Sequence, residues 1–197
     1  MKKKNGFTLV ELLAVIVILA IIMIIAIPTV LETMASARRS SFAIYIEKVV
    51  KDTTTQYVYD SNGGAIAGAG RYVYNIEKDL GYTSTGDYKG YVVVNAEDVD
   101  NPHYIVYLWD SNYMTLSWDV TDQKMPKADD KTAIQSLDKT QVAGLNEYVA
   151  CKAGSSTTVT NCYNRQGYKI VEYRASVFLP GSAVPAVILK FIIYSKK

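Results

Sequence analysis

The sequence predicts an α+β fold: one long N-terminal α-helix, membrane-spanning in its first half and amphipathic in its second, packed on an antiparallel β-sheet. Three observations lead there. Residues 12–27 are all apolar, and no formal charge follows Glu11 until Glu32. The apolar positions then recur at helical spacing as far as Val50. Beyond Tyr91 the pattern changes to short β-branched and aromatic runs separated by turn residues.

The helix comes first. At about 1.5 Å of rise per residue, the uncharged stretch 12–31 spans roughly 30 Å, the thickness of a bilayer core. Lys2, Lys3 and Lys4 precede it and hold that end in the cytoplasm, so the remainder faces outward. Glu11 lies at the membrane entry. An acid near mid-membrane costs about 2.5–3.5 kcal/mol, which makes Glu11 a functional candidate. Pro28 removes a backbone donor and crowds the preceding turn. The pattern nevertheless resumes: Phe42, Tyr45, Ile46, Val49 and Val50 fall at i, i+3, i+4, i+7 and i+8, on one helical face. A single helix over 7–57, bent near Pro28, follows. An ordinary signal peptide fits poorly, since its apolar region is normally about 7–15 residues long and ends at a small-residue cleavage site.

Gly6-Phe7-Thr8-Leu9-Val10-Glu11 resembles the processing motif of type IV prepilins and the related pseudopilins. The resemblance covers about the first 35 residues. It implies a leader of residues 1–6, cut between Gly6 and Phe7 by a prepilin peptidase, and N-methylation of the new terminus at Phe7. It also implies that residues 7–31 form a polymerisation helix. Thr8, Glu11 and Pro28 would then serve subunit assembly, with Glu11 pairing with the charged N-terminus of a neighbouring subunit. Ala20 stands where many members have glycine, which makes local melting of the helix in a filament less assured. A pilin-like head is expected over 58–197, after an amphipathic helix half over 32–57.

Within the head, residues 60–70 read as a flexible loop; their glycines lack the preceding strand and the Gly-Lys-Ser/Thr of a phosphate cradle. Asn75 is expected to cap a short helix over 76–80, stopped by Gly81. Residues 91–94, 104–109 and 113–118 read as three antiparallel strands, the last two joined by a hairpin turn at Asp110-Ser111-Asn112. A short helix is expected over 132–137. Two final strands over 168–179 and 184–194 meet at Pro180-Gly181-Ser182, and the last, strongly apolar apart from Lys190, reads as central or helix-facing. At eleven residues it is too short to be a second span. Sixteen tyrosines, all beyond residue 32, suit half-buried strands and wet interfaces alike.

Charge and chemistry narrow the function. Three lysines and Glu11 aside, the 21 basic and 19 acidic residues leave 18 of each sign beyond residue 31. No basic excess therefore supports nucleic-acid binding. Cys151 and Cys162, in an exported domain, most simply pair with each other. No catalytic motif emerges, and with His103 as the single histidine no zinc triad of histidines exists. No metal site is assigned. Asp98-Val99-Asp100-Asn101 and Asp129-Asp130 miss the EF-hand spacing. Calcium stays open only because some pseudopilins bind it in sheet-side loops.

The expectation is a non-enzymatic subunit of a type IV pilus or related filament, polymerised through its apolar helix. Such head-to-tail contacts generate open filaments. Its partners would be identical or related pilin subunits, the prepilin peptidase/methyltransferase, the inner-membrane assembly machinery and the membrane itself. It would be a single-pass membrane protein before assembly and part of an extracellular filament afterwards. The alternatives are a pseudopilin of a type II secretion or competence system, or a membrane-anchored binding protein that never polymerises.

Overall fold

The computed structural model describes residues 8–66, 68–82, 88–153, 161–178 and 185–195, as backbone alone over 174–178 and 185–189. Thr8 caps α1 (Leu9–Asn62), a helix of 54 residues and about 80 Å. Pro28 lies inside it without dividing it. Next to the proline, the Thr29 and Thr33 hydroxyls donate to the carbonyls of Ile25 and Thr29, at 3.4 and 2.8 Å. Such back-bonding uses carbonyl capacity along the helix without ending it.

The second half of α1 buries Phe42, Ile46, Val49, Val50, Thr53, Tyr57 and Asp60, spaced at three or four residues apart from the adjacent Val49 and Val50. The helix runs to Asn62, past the expected end at residue 57, because Tyr57 and Asp60 still face the head. The Gly63 N–H closes on the Tyr59 carbonyl at 2.9 Å, and Gly64, at φ +74°, turns the chain away as only glycine does freely.

The expected flexible loop at 60–70 is corrected. Its first residues complete α1, and the N–H groups of Ala65 and Ile66 return to the Asp60 carbonyl at 3.1 and 3.3 Å. Ile66 is buried with Tyr57, Tyr72 and Tyr74, an apolar anchor in a glycine-rich setting. Strand β1 (Gly70–Asn75) then follows, buried along its whole length. The expected helix over 76–80 is a turn instead. Asn75 Oδ1 does accept from the N–H groups of Glu77 and Lys78, at 3.0 and 3.2 Å, but no second helical turn propagates.

Strands β2 (Lys89–Ala96), β3 (His103–Trp109) and β4 (Tyr113–Asp119) form the expected antiparallel meander. Asp110 Oδ1 accepts from the N–H groups of Asn112 and Tyr113, both at 2.6 Å, and so makes the β3–β4 turn. Gly90, at φ +141°, brings its Cα so close to β3 that a Cβ would stand 2.0 Å from the Tyr107 carbonyl oxygen. The expected helix over 132–137 is overturned. Asp130 caps the N–H groups of Thr132 and Ala133, Ile134 enters the core, and β5 (Gln135–Ser136) pairs with β4. Burial of Ala133 and Ile134 outweighs local helix preference there.

Two short helices unforeseen in the sequence, α2 (Lys139–Ala143) and α3 (Glu147–Lys152), precede β6 (Cys162–Asn164), β7 (Lys169–Phe178) and β8 (Pro185–Ser195). The tip over 180–182 lies outside the described residues. The eight strands form one sheet in the order β5-β4-β3-β2-β1-β6-β7-β8, antiparallel except for the β1–β6 pair. Strand β8 is therefore an edge strand, not a central one; Phe191 and Ile193 are exposed on it, and the helix it meets is α3, where the Tyr194 hydroxyl donates to Glu147 Oε2 at 2.6 Å.

Alternation sorts the central strands onto two cores. Val92, Val106 and Leu108 join Phe42, Ile46 and Val49 beneath α1. Val93, Ile105 and Tyr107 join Ala150, Cys151 and Ile170 on the other face, under α3. The fold is α+β, with the sheet held between the long helix and a small helical cover.

Candidate functional site

The candidate site is the exposed end of α1 and the cap that starts it. Thr8 and Glu11 form a reciprocal capping box. The Glu11 N–H donates to Thr8 Oγ1 at 3.3 Å, while Glu11 Oε2 accepts from the Thr8 N–H at 2.8 Å and from its hydroxyl at 2.9 Å. Two amides left without helical partners are thereby satisfied. The acid that the sequence singled out is thus turned toward the residue that follows Phe7. Gly6 and Phe7 themselves lie outside the described residues.

From Leu12 to Leu31 the helix carries no charge and is apolar apart from Thr29, and none of it is covered. Leu9 is 79% exposed and Ile24 74%. A soluble protein does not leave such a surface in water, so the segment requires lipid or other apolar helices. Pro28 sits within it, some fourteen residues before Phe42, the first buried side chain of the head-packed half. The arrangement brings Thr8 and Glu11 together and leaves Pro28 apart from both.

In the head, Cys151 and Cys162 are joined by a disulfide between α3 and β6, with Cα atoms 6.0 Å apart. Beside it sits Arg71, which no motif in the sequence marks out. Buried at 5% exposure, it donates through one terminal nitrogen to the carbonyls of Cys151 and Ala153, at 3.0 and 3.3 Å. These are carbonyls at the end of α3 that lack helical partners, where a cation is favoured. The Arg71 Nε faces Glu97 at 3.7 Å, a charge contact too long to be a hydrogen bond.

Among the described residues, neither acidic pair belongs to a group of three or more closely spaced ligand side chains. Asp98 Oδ1 accepts from the Asp100 N–H at 3.2 Å, and Asp130 spends its carboxylate on Thr132 and Ala133, which holds it below the usual carboxylate range. Hydrogen bonding to the charged form is the cause.

Comparison with known proteins bears on the N-terminus. Residues 1–27 match the family model described as the prokaryotic N-terminal methylation motif. This is the prepilin motif of type IV pilins and pseudopilins. No curated protein and no solved structure gives a significant match to the chain. The motif and the long apolar helix support a pilin-like or pseudopilin-like protein, and point to membrane anchoring through the N-terminal segment. That motif marks structural proteins processed by prepilin peptidase.

Proposed function

We propose that this chain is a structural subunit of a type IV pilus or related filament. It is cut between Gly6 and Phe7, N-methylated at Phe7, and polymerised through the first half of α1. One observation carries the reading: directly after the processing motif, a helical segment from Leu12 to Leu31 is uncharged, apolar apart from Thr29, and wholly uncovered. Before assembly lipid covers it, with Lys2–Lys4 on the cytoplasmic side. On leaving the bilayer it must be buried again, and identical helices offer the matching surface.

The first turn supplies the register. Cleavage creates a positive amine at Phe7, four residues before Glu11. Burying either charge alone in a helical core is costly, so a subunit gains most where its free charge meets the opposite one on its neighbour. In the isolated chain Glu11 holds the Thr8 amide and hydroxyl. That cap keeps the helix start formed until the neighbour's amine arrives. By resemblance, Glu11 favours a subunit that propagates the filament, against the one tip subclass that characteristically lacks that acid. The length of the chain, 197 residues, exceeds that of the smallest major pseudopilins and favours a pilin, major or minor, over a pseudopilin.

Intact-mass analysis of sheared surface filaments tests the proposal. The expected species lacks residues 1–6 and carries one added methyl group. A membrane-retained chain with its leader intact would instead identify an anchored binding protein.

A further inference from the structure

His103, Asp119 and Asp122 meet at one end of the β3–β4 pair, and we propose that they form a binding site for a divalent transition cation of the zinc class. His103 opens β3, Asp119 closes β4, and Asp122 lies in the turn beyond. His103 Nδ1 is 3.0 Å from Asp119 Oδ2 and 3.5 Å from Asp122 Oδ1, and the three donor atoms lie within 4.8 Å of one another. A tetrahedral ion with bonds of about 2.0–2.1 Å places its ligands about 3.3–3.4 Å apart, a spacing that the two nitrogen–oxygen distances bracket.

The hydrogen bonding leaves the cluster incomplete. Both carboxylates face Nδ1, which carries at most one N–H, and the shorter contact is the one to Asp119. Asp119 Oδ1 is already fixed by the N–H groups of Thr121 and Asp122, at 2.9 and 3.3 Å, which aims Oδ2 at the histidine. A dication replaces the one shared proton and satisfies all three ligands. Ligation through Nδ1 moves the ring proton to Nε2, where the Asn101 side-chain amide stands at 3.5 Å. An amide flip presents its oxygen to that proton, the kind of outer-shell bond that fixes a metal-bound tautomer. One imidazole and two carboxylates with an open fourth position suit zinc better than calcium, which takes six to eight oxygens.

The site shares no residue with the capping box, so it stands or falls apart from the filament reading. The test is calorimetric titration of ZnCl2, with CaCl2 in parallel, into the full chain in detergent, purified without a histidine tag and stripped of metal. Wild type should take up one zinc per chain. H103A and D122N should each weaken binding about ten-fold or more. Asp122 is 67% exposed, so the fold does not depend on it, and metal-free D122N should melt with the wild type. The single histidine also gives an unambiguous nitrogen NMR signature, with Nδ1 shifting as the ligated atom. Absence of saturable zinc uptake, zinc binding unchanged in H103A or D122N, or calcium binding as tight as zinc would each overturn the proposal.

Discussion

Arg165 Nε lies 3.1 Å from Asp60 Oδ2, and this pair ties the end of α1 to the turn between β6 and β7 across 105 residues of chain. Asp60 is buried and fully used: Gln56 donates to its Oδ1 at 2.8 Å and Tyr74 to its Oδ2 at 3.2 Å. Arg165 also donates to the Asp79 carbonyl at 2.9 Å, so a third segment joins the clamp. Removing Asp60 takes the shared acceptor from Gln56, Tyr74 and Arg165 in a largely buried site. Asp60→Ala should lower head stability by about 2–4 kcal/mol, somewhat below the figure for a fully buried pair because Arg165 reaches solvent. Urea denaturation measures it, and a loss no larger than that of an exposed Asp→Ala control would remove the clamp from the account.

The tyrosine-rich core makes the head sensitive to alkali. Burial pushes the Tyr72 phenol up to about 12, with Tyr57 and Tyr163 adding to the effect. Tyr74 is raised further, chiefly by burial and then by the Asp60 charge. An unfolded tyrosine loses its proton near 10, a folded one only above that. The unfolded chain therefore binds fewer protons in the interval, and stability falls as pH rises from about 10 toward 12. Tyrosinate absorbance and circular dichroism followed together should show the buried phenols ionising only as the fold is lost. Ionisation of all sixteen tyrosines near pH 10 with the fold intact would contradict the burial described.

The disulfide acts in the same head by another route. It closes a loop of about 12 residues, worth roughly 3 kcal/mol in the chain-entropy account. Cys151→Ser with Cys162→Ser should cost about 2–4 kcal/mol and leave membrane insertion untouched, because the insertion signal lies before residue 32. Thiol titration of the denatured, non-reduced protein provides the check, and two free thiols would reject the bond.

These contributions also show what the sequence could and could not disclose. The α1 stripe, the β2–β4 meander and the Asp110 turn were legible because helical spacing, β-branching and turn chemistry agree there. Strand β1 was not, since its six residues from Gly70 to Asn75 carry a buried arginine whose hydrogen-bond acceptors lie about eighty positions away. The 132–137 stretch misled because Ala133 and Ile134 enter the core from the turn that precedes β5. Strand β8 has the composition of a central strand but the position of an edge, and only pairing decides that. At the N-terminus a local motif announced itself; the acceptor role of Glu11 toward Thr8 is local too, and follows from their three-residue spacing.

Processing should depend on Gly6, because a peptidase must approach the backbone at the scissile bond and a branched side chain obstructs that approach. Gly6→Val is expected to leave a full-length precursor in the membrane with a normally folded head. Maturation at the wild-type rate, followed by mass or gel shift, would place the cleavage elsewhere.

Glu11 has two roles that substitution can separate. As a capping residue it needs an acceptor oxygen for the Thr8 amide, and glutamine supplies one. As a charge partner for the Phe7 amine of a neighbour it needs the negative charge, which glutamine lacks. Glu11→Val removes both, while making the span more apolar, so export, insertion and cleavage at Gly6–Phe7 should persist. If charge pairing sets the register, Glu11→Gln and Glu11→Val should both fail to enter filaments, and the cleaved subunit should collect in the membrane. If the cap alone matters, Glu11→Gln should assemble and only Glu11→Val should fail. Shearing, followed by immunoblotting of sheared and membrane fractions, separates the cases. Wild-type amounts of Glu11→Gln in the sheared fraction would exclude the charge-register mechanism, and wild-type amounts of Glu11→Val would exclude the cap as well.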